Sequence, residues 1–489
     1  MALAAQNLRV CLILIEFNEN QNRFDVMNPY KHQPDPNLAT LPTGIPYIVV
    51  NEAAERFSYY GMRAILVVFM TQYLTDSTGA SAVMSEQEAQ GYFHLFVSAV
   101  YFMPILGALV SDGLLGKYRT IIFLSLVYCL GHFALAIDNT RMGLLLGQGL
   151  IALGAGGIKP CVSAHVGDQF GLGNQHLVGK VFSWFYFSIN FGAFAAMLTI
   201  PWLLDRYGPP LAFGIPGLLM LVATLAFWSG RYQFVHIKPA GMDFVREMFS
   251  KFGMKTLGKL ASVYVFIAIF WALFEQISSS WVLQAQKMDR VIFGIELLPS
   301  QIQAANPLLI MLLTPLFTYC IYPCVNTLFK LTAIRKMAIG LFLTVIAYGI
   351  ASTIQMQLDQ GGIPTIIWQL VAYLILTSAE VMISITCLEF SYRLAPKTMK
   401  SFVMAFYMLS IAFGNLFTSA VNFFIENADG TSKLAGASYF CWLQPYYLCG
   451  LATIYRKTII LPMTTANISF ILRSEIIKLP PKRNKLLTN

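Results

Sequence analysis

The chain has 489 residues, of which 56% are hydrophobic and only 12% charged. Soluble domains carry about 25% charged residues, so this chain lacks the polar groups to cover a water-facing surface, and its solvent must be lipid. The net charge of +9 does not indicate nucleic acid, because Lys and Arg recur in alternate loops rather than in one basic stripe.

Residues 1–42 read as a polar leader, rich in Asn around Asn18 to Asn28. The apolar run Leu8 to Phe17 is half a span and precedes no small-residue cleavage site, so it is not read as a signal peptide. Beyond it the apolar runs are long and continuous. Lipid admits only helices or closed barrels, and continuous runs of about 20 apolar residues predict helices. The first half should cross at 46–73, 91–111, 120–137, 143–162, 181–203 and 211–229, as a six-helix bundle over 43–229. A basic linker, 230–259, follows. The second bundle, 260–456, should cross at 260–282, 303–324, 336–356, 364–390, 401–424 and 437–455. A basic tail, 457–489, closes the chain. The last span is interrupted by Gln444 and Pro445.

With both termini and the linker on the inside, the inside segments hold 25 of the 33 Lys and Arg, the outside loops five, and the spans three. This asymmetry obeys the positive-inside rule and predicts a multi-pass protein of the cell (inner) membrane. The eight Cys form no CxxC, so no metal or redox site is expected.

Seven ionisable residues fall inside the predicted spans: Glu52, Glu55, Arg56, Arg63, Lys159, Glu275 and Glu380. Each costs ~2.5–3.5 kcal/mol at a helix centre, so they should line a shared wet cavity and partly neutralise one another. Glu52, Glu55, Arg56, Tyr59, Tyr60 and Arg63 occupy one helical face, an arc of about 140°. Interhelical seams in membranes are built from Ser, Thr or Gly, not from two Glu and two Arg. Lys159 follows Gly154, Gly156 and Gly157, which permit close helix approach, and precedes Pro160, expected to disturb the helix there. Position alone also allows Lys159 to reach a polar interface and Glu275 to lie near the outer end. Asn190 and Asn306 read equally as interhelical hydrogen-bonding residues or as ligand contacts. His94 and His132 are the His residues expected within spans, and no metal-ligand spacing accompanies them.

These residues resemble the proton-coupled oligopeptide transporter family of the major facilitator superfamily. The run Glu52 to Gly61 is similar to the family's ExxERFxYYG signature, and Phe185 to Gly192 is similar to its FYxxINxG signature. Gly156-Gly157-Ile158-Lys159-Pro160 and the stretch from Ala395 to Ser401 also match. The resemblance covers about residues 42–440. It implies an all-α membrane protein with the major facilitator fold, about 12 helices in two six-helix bundles around one central site. It implies a symporter, not an enzyme, that imports di- and tripeptides with protons by alternating access. By the same resemblance Arg63 and Lys159 would hold the peptide carboxylate, and Glu380 the amine, helped by Asn190 and Asn306. Tyr59, Tyr60, Tyr101 and Trp271 would line side-chain pockets. Glu52, Glu55 and Arg56 would couple protons to movement, with Glu275 a gating acid near Arg63. No cofactor is implied beyond the proton as coupling ion, and a monomer is expected.

Two departures stand out. Gly113 occupies a place in the loop Gly107 to Gly113 where a basic residue is usual, and the seventh span carries one acid, after Phe274, where many members have two. Other readings are a relative moving a small anion or an amino-acid-like substrate, a membrane-embedded enzyme, or a non-transporting receptor. The second Glu of the first helix argues against the anion carrier. The absence of HExxH and GxSxG motifs argues against the enzyme.

Overall fold

The computed structural model describes residues 30–239, 250–394, 400–429, 432–434 and 436–441. Ten helices among them have the length and hydropathy to cross a membrane. An eleventh, α1 (Ile45–Gln72), is as long but carries four charged residues, Glu52, Glu55 and Arg56 of the first signature and Arg63 beyond it. The remaining helices of the first half are α2 (Glu86–Val110), α3 (Lys117–Ile137), α4 (Arg141–Asp168), α5 (Val178–Tyr207) and α6 (Pro209–Ser229). The second half begins with α7 (Lys251–Phe274), continued after a 3-10 turn by α8 (Ser280–Gln286). A second span comprises α9 (Ala305–Leu316) and α10 (Tyr322–Leu328), joined by a π turn. Then come α11 (Ala333–Asp359), α12 (Ile367–Glu380), α13 (Thr386–Leu394), α14 (Lys400–Ile425) and α15 (Ala437–Cys441). The small hairpin of β1 (Val291–Ile292) and β2 (Ile295–Glu296) caps the loop between α8 and α9.

Local chemistry sets several of these starts. Ser85, Thr140, Ser250 and Thr332 each cap the helix that follows, the side-chain oxygen accepting from a backbone N–H of the first turn. Such a cap satisfies one of the donors a helix start leaves free. The lateral pattern is inverted relative to a soluble protein. On α3, Phe123, Leu126, Leu130, Phe133 and Ile137 are exposed, whereas Ser125, Tyr128 and His132 are buried. An apolar outer face with polar groups turned inward is what lipid demands.

In the first half α1 packs on α5 and α6, α2 on α4, and α3 on α4 and α6. In the second, α7 packs on α14, and α12 on α9 and α11. The halves meet mainly where α2 lies along α14 and where α5 meets α9 and the turn before it. Their polar contacts gather at the end that carries the 73–85 loop. Ser85 donates to Glu426 at 2.5 Å, Ser419 to the Gly91 carbonyl at 2.8 Å, and Ser98 to the Ala412 carbonyl at 2.9 Å. Gln301 and Gln303 reach the carbonyls of Leu198 and Ala64.

Four details differ from the sequence-based expectations. α7 starts at Lys251, inside the stretch read as linker, because Ser250 supplies its cap. Residues 30–43 at the end of the leader are tied to the first half: the His236 N–H donates to the Lys31 carbonyl at 2.7 Å, and Asn174 donates to the Thr40 carbonyl at 3.1 Å. α4 runs unbroken through Pro160 as far as Asp168, its neighbours holding the turn that lacks one donor. That extension brings a third histidine, His165, into a span, where it is buried. The expected twelfth span is described only over Ala437–Cys441; the rest of it, residues 1–29, the linker core and the tail lie outside the described residues.

Candidate functional site

The charged face of α1 organises the centre. Arg56 Nε lies 2.7 Å from Glu52 Oε1, one turn back, and 3.1 Å from Glu55 Oε2. Neither Glu55 oxygen has a hydrogen-bonded partner. Two turns further along, Arg63 pairs with Glu275 of the other half and donates to Ser278 Oγ at 3.2 Å. All these groups are buried, so each pair is held against the large cost of desolvation by its own geometry.

Glu275 stands where its helix breaks. The 3-10 turn Glu275–Ser278 interrupts the span, and Ser279 leaves helical geometry at φ −130°. A break at membrane depth exposes carbonyls that lipid cannot satisfy. Here side chains satisfy them. Tyr348 donates to the Leu273 carbonyl at 2.5 Å, Tyr373 to Ile277 at 3.1 Å, Gln369 to Trp281 at 2.9 Å, and Thr418 to Ala272 at 3.1 Å.

Lys159 on α4 and Glu380 at the end of α12 are treated differently. Lys159 Nζ lies 3.9 Å from the Tyr101 ring centroid and 4.6 Å from that of Tyr59. Aromatic faces attract a cation but do not neutralise it. Glu380 accepts from Asn306 Nδ2 at 2.8 Å, and the same amide reaches Thr377 at 3.2 Å. Among the described residues neither Lys159 nor Glu380 has an opposite charge within 4.0 Å. A π turn, Val381–Ile385, follows Glu380 directly; such turns recur at functional sites because they re-aim side chains.

The structure thus brings Glu52 and Glu55 to Arg56, Arg63 to Glu275, and Asn306 to Glu380. Asn190 donates to the Tyr186 carbonyl of its own helix at 2.9 Å. Tyr60 packs on Tyr59 with ring centroids 5.3 Å apart. Trp271 is buried edge-on against Phe270 and Phe274. Glu275 is not an acid at the outer surface; it is 2% exposed. One residue set aside for want of ligand spacing, His94, proves to join the halves. Its Nδ1 is 2.8 Å from Asn415 Oδ1 and its Nε2 2.9 Å from Ser279 Oγ. The available signal was an ionisable ring in mid-span, which is costly unless it is used.

The POT family model matches residues 118–253 and 250–439. The chain belongs to the POT family. Among relatives of this POT member, Peptide transporter family 1 of Drosophila melanogaster is 34% identical over 397 residues, covering 71% of this chain and 52% of that protein. Solute carrier family 15 member 1 of Homo sapiens is 34% identical over 380 residues, covering 65% and 52%. The chain therefore spans about half the length of the curated relatives it matches. Among solved structures, the POT family transporter PepTSo superposes with a TM-score of 0.75 at 33% identity, covering 86% of this chain and 99% of that one. An auto-inhibited POT family peptide transporter gives 0.76 at 32% identity, covering 86% and 98%. The POT fold, an all-α membrane bundle, is the fold described above.

Proposed function

We propose that the chain is a proton-coupled symporter that imports di- and tripeptides by alternating access, with both termini cytoplasmic in the cell membrane. The observation that carries this is a pair of oppositely chargeable residues with no ion-pair partner among the described residues: Lys159 in the first half and Glu380 in the second. A zwitterionic peptide needs a cation at one end and an anion at the other, and only a site shared by two bundles lets one ligand report to both. Recognition through the two backbone ends tolerates varied side chains. Arg63, beside Lys159 on the first half, would share the carboxylate. The names of the relatives, peptide transporters among them, support the same substrate class.

Proton coupling follows from charge balance. The four Glu and three basic residues of the spans leave one negative charge if all ionise, and one proton makes the set neutral. A neutral set crosses a low-dielectric region at less cost. An arriving carboxylate competes for Arg63 and Lys159, and an acid deprived of its cation is neutralised by a proton. With the 73–85 end outside, as the basic loops indicate, the contacts between halves close the outer face and the arrangement is the inward-facing one. Labelled dipeptide uptake into proteoliposomes, with and without an inward proton gradient, tests the proposal. Accumulation against the peptide gradient only when the proton gradient is present is expected; none under either condition would overturn it.

A further inference from the structure

Behind α1, on the side turned into the first bundle, lies a second group of buried polar side chains that the peptide site does not use. Asn51 and Glu55 sit one turn apart on α1; neither polar atom of either side chain has a hydrogen-bond partner, and Glu55 has only its ion pair with Arg56. On α3, Ser125, Tyr128 and His132 lie at positions i, i+3 and i+7, which share one face. Ser125 Oγ, Tyr128 Oη and both ring nitrogens of His132 are likewise unpartnered. All five residues are at most 1% exposed. Tyr128 is within electrostatic range of Glu55, and its ring centroid is 4.9 Å from that of His132. At 1.5 Å per residue the α3 groups span about 10 Å along the bundle. Glycines let the neighbouring helices close on these residues: a Cβ at Gly154 would lie 2.7 Å from Tyr128, and one at Gly217 would lie 2.6 Å from His132.

Buried polar atoms left unpaired cost about 1–3 kcal/mol each, and native proteins rarely leave so many in one place. Ordered water bridging two to four such groups removes the cost. We propose that the space between Asn51, Glu55, Ser125, Tyr128 and His132 is a water-binding site, and that its waters with Tyr128 and His132 form a proton-exchange route to Glu55 separate from the peptide cavity. The route's function rests on the symporter reading; the water site does not. The groups within electrostatic range of Glu55 are Glu52, Arg56, Tyr59 and Tyr60 on α1, Lys159 on α4 and Tyr128 on α3. Those facing His132 are Tyr128 on its own helix and, from α6, the Phe213 carbonyl, which lies near the ring without a well-formed hydrogen bond.

X-ray hydroxyl-radical footprinting of the full chain in nanodiscs tests the water site without any transport assay. Bound water beside a buried residue delivers radicals to it, so Tyr128 and His132 should be oxidised far faster than Phe270, which is equally buried and lies in the other half. Phe69 should react as slowly as Phe270. Equal rates in the two sets would overturn the site and the route with it. The route is tested by His132→Leu and Tyr128→Phe, with His132→Gln to preserve hydrogen bonding. Leu and Phe should slow proton-driven uptake several-fold and change its pH profile, while peptide counterflow without a gradient is retained, showing a folded carrier. Gln should recover most of the rate. An unchanged pH profile in all three would sink the route while leaving the water site. Failure of wild-type counterflow would instead strike the symporter reading.

Discussion

At the scale of residues, the site separates into charges that neutralise one another and charges held ready. Glu380 is held by an amide and Lys159 by aromatic faces, so on the proposed function each is open to a charged end of the ligand. Glu380→Gln is expected to weaken free-amine dipeptides much more than their N-acetylated counterparts, since a charge-assisted contact is about twice as strong as a neutral one. Competition against labelled dipeptide measures it, and equal losses for both ligands would remove Glu380 from amine recognition. The Arg63–Glu275 pair predicts a different pattern. Breaking a buried pair costs ~3–5 kcal/mol because one charge is stranded. Arg63→Gln and Glu275→Gln should each lower the thermal midpoint in detergent, and the double variant should be more stable than either single one.

At the scale of elements, the interrupted span around Glu275 depends on side chains from neighbouring helices. Tyr373 on α12 and Tyr348 on α11 complete the backbone at the break. Tyr373→Phe keeps the packing and leaves the Ile277 carbonyl without this donor, at a cost of ~1–3 kcal/mol. A lower melting temperature together with weaker dipeptide binding is expected, because the same turn presents Glu275 to Arg63. A change in neither would show that the break is held by packing alone. The first-helix carboxylates act as a unit around Arg56. Glu52→Gln with Glu55→Gln should abolish gradient-driven accumulation and leave counterflow partly intact. Normal accumulation would leave them as ion-pair partners only.

At the scale of the whole molecule, the proposed alternating access would require the contacts between α2 and α14 to part. Ser419 donates to the Gly91 backbone, so cysteines at Gly91 and Ser419 are near enough for a short cross-link. Oxidation should stop uptake, and reductant should restore it; full uptake by the cross-linked protein would mean that this seam stays closed throughout the cycle. For orientation, single cysteines at Ser81 and Met248 should label from opposite sides of the membrane. Labelling from one side would overturn the alternation of inside and outside loops.

Much of this was readable from the chain. The apolar runs located eleven described spans, most to within a few residues, with α4 and α7 running further than expected, because a helix in lipid must be long and apolar whatever it packs against. The spacing on α1 placed its charges on one face, because side chains repeat every 3.6 residues. What spacing along one helix cannot state is a distance between helices. That Arg63 meets Glu275, that Lys159 rests on tyrosine rings, that Asn190 turns to its own backbone and that His94 spans the halves are decided by packing. The continuity of α4 past Pro160 and the break at Glu275 were decided the same way. Backbone groups freed in lipid must find partners, and whether partners are present depends on residues hundreds of positions away, such as Thr418 for the Ala272 carbonyl.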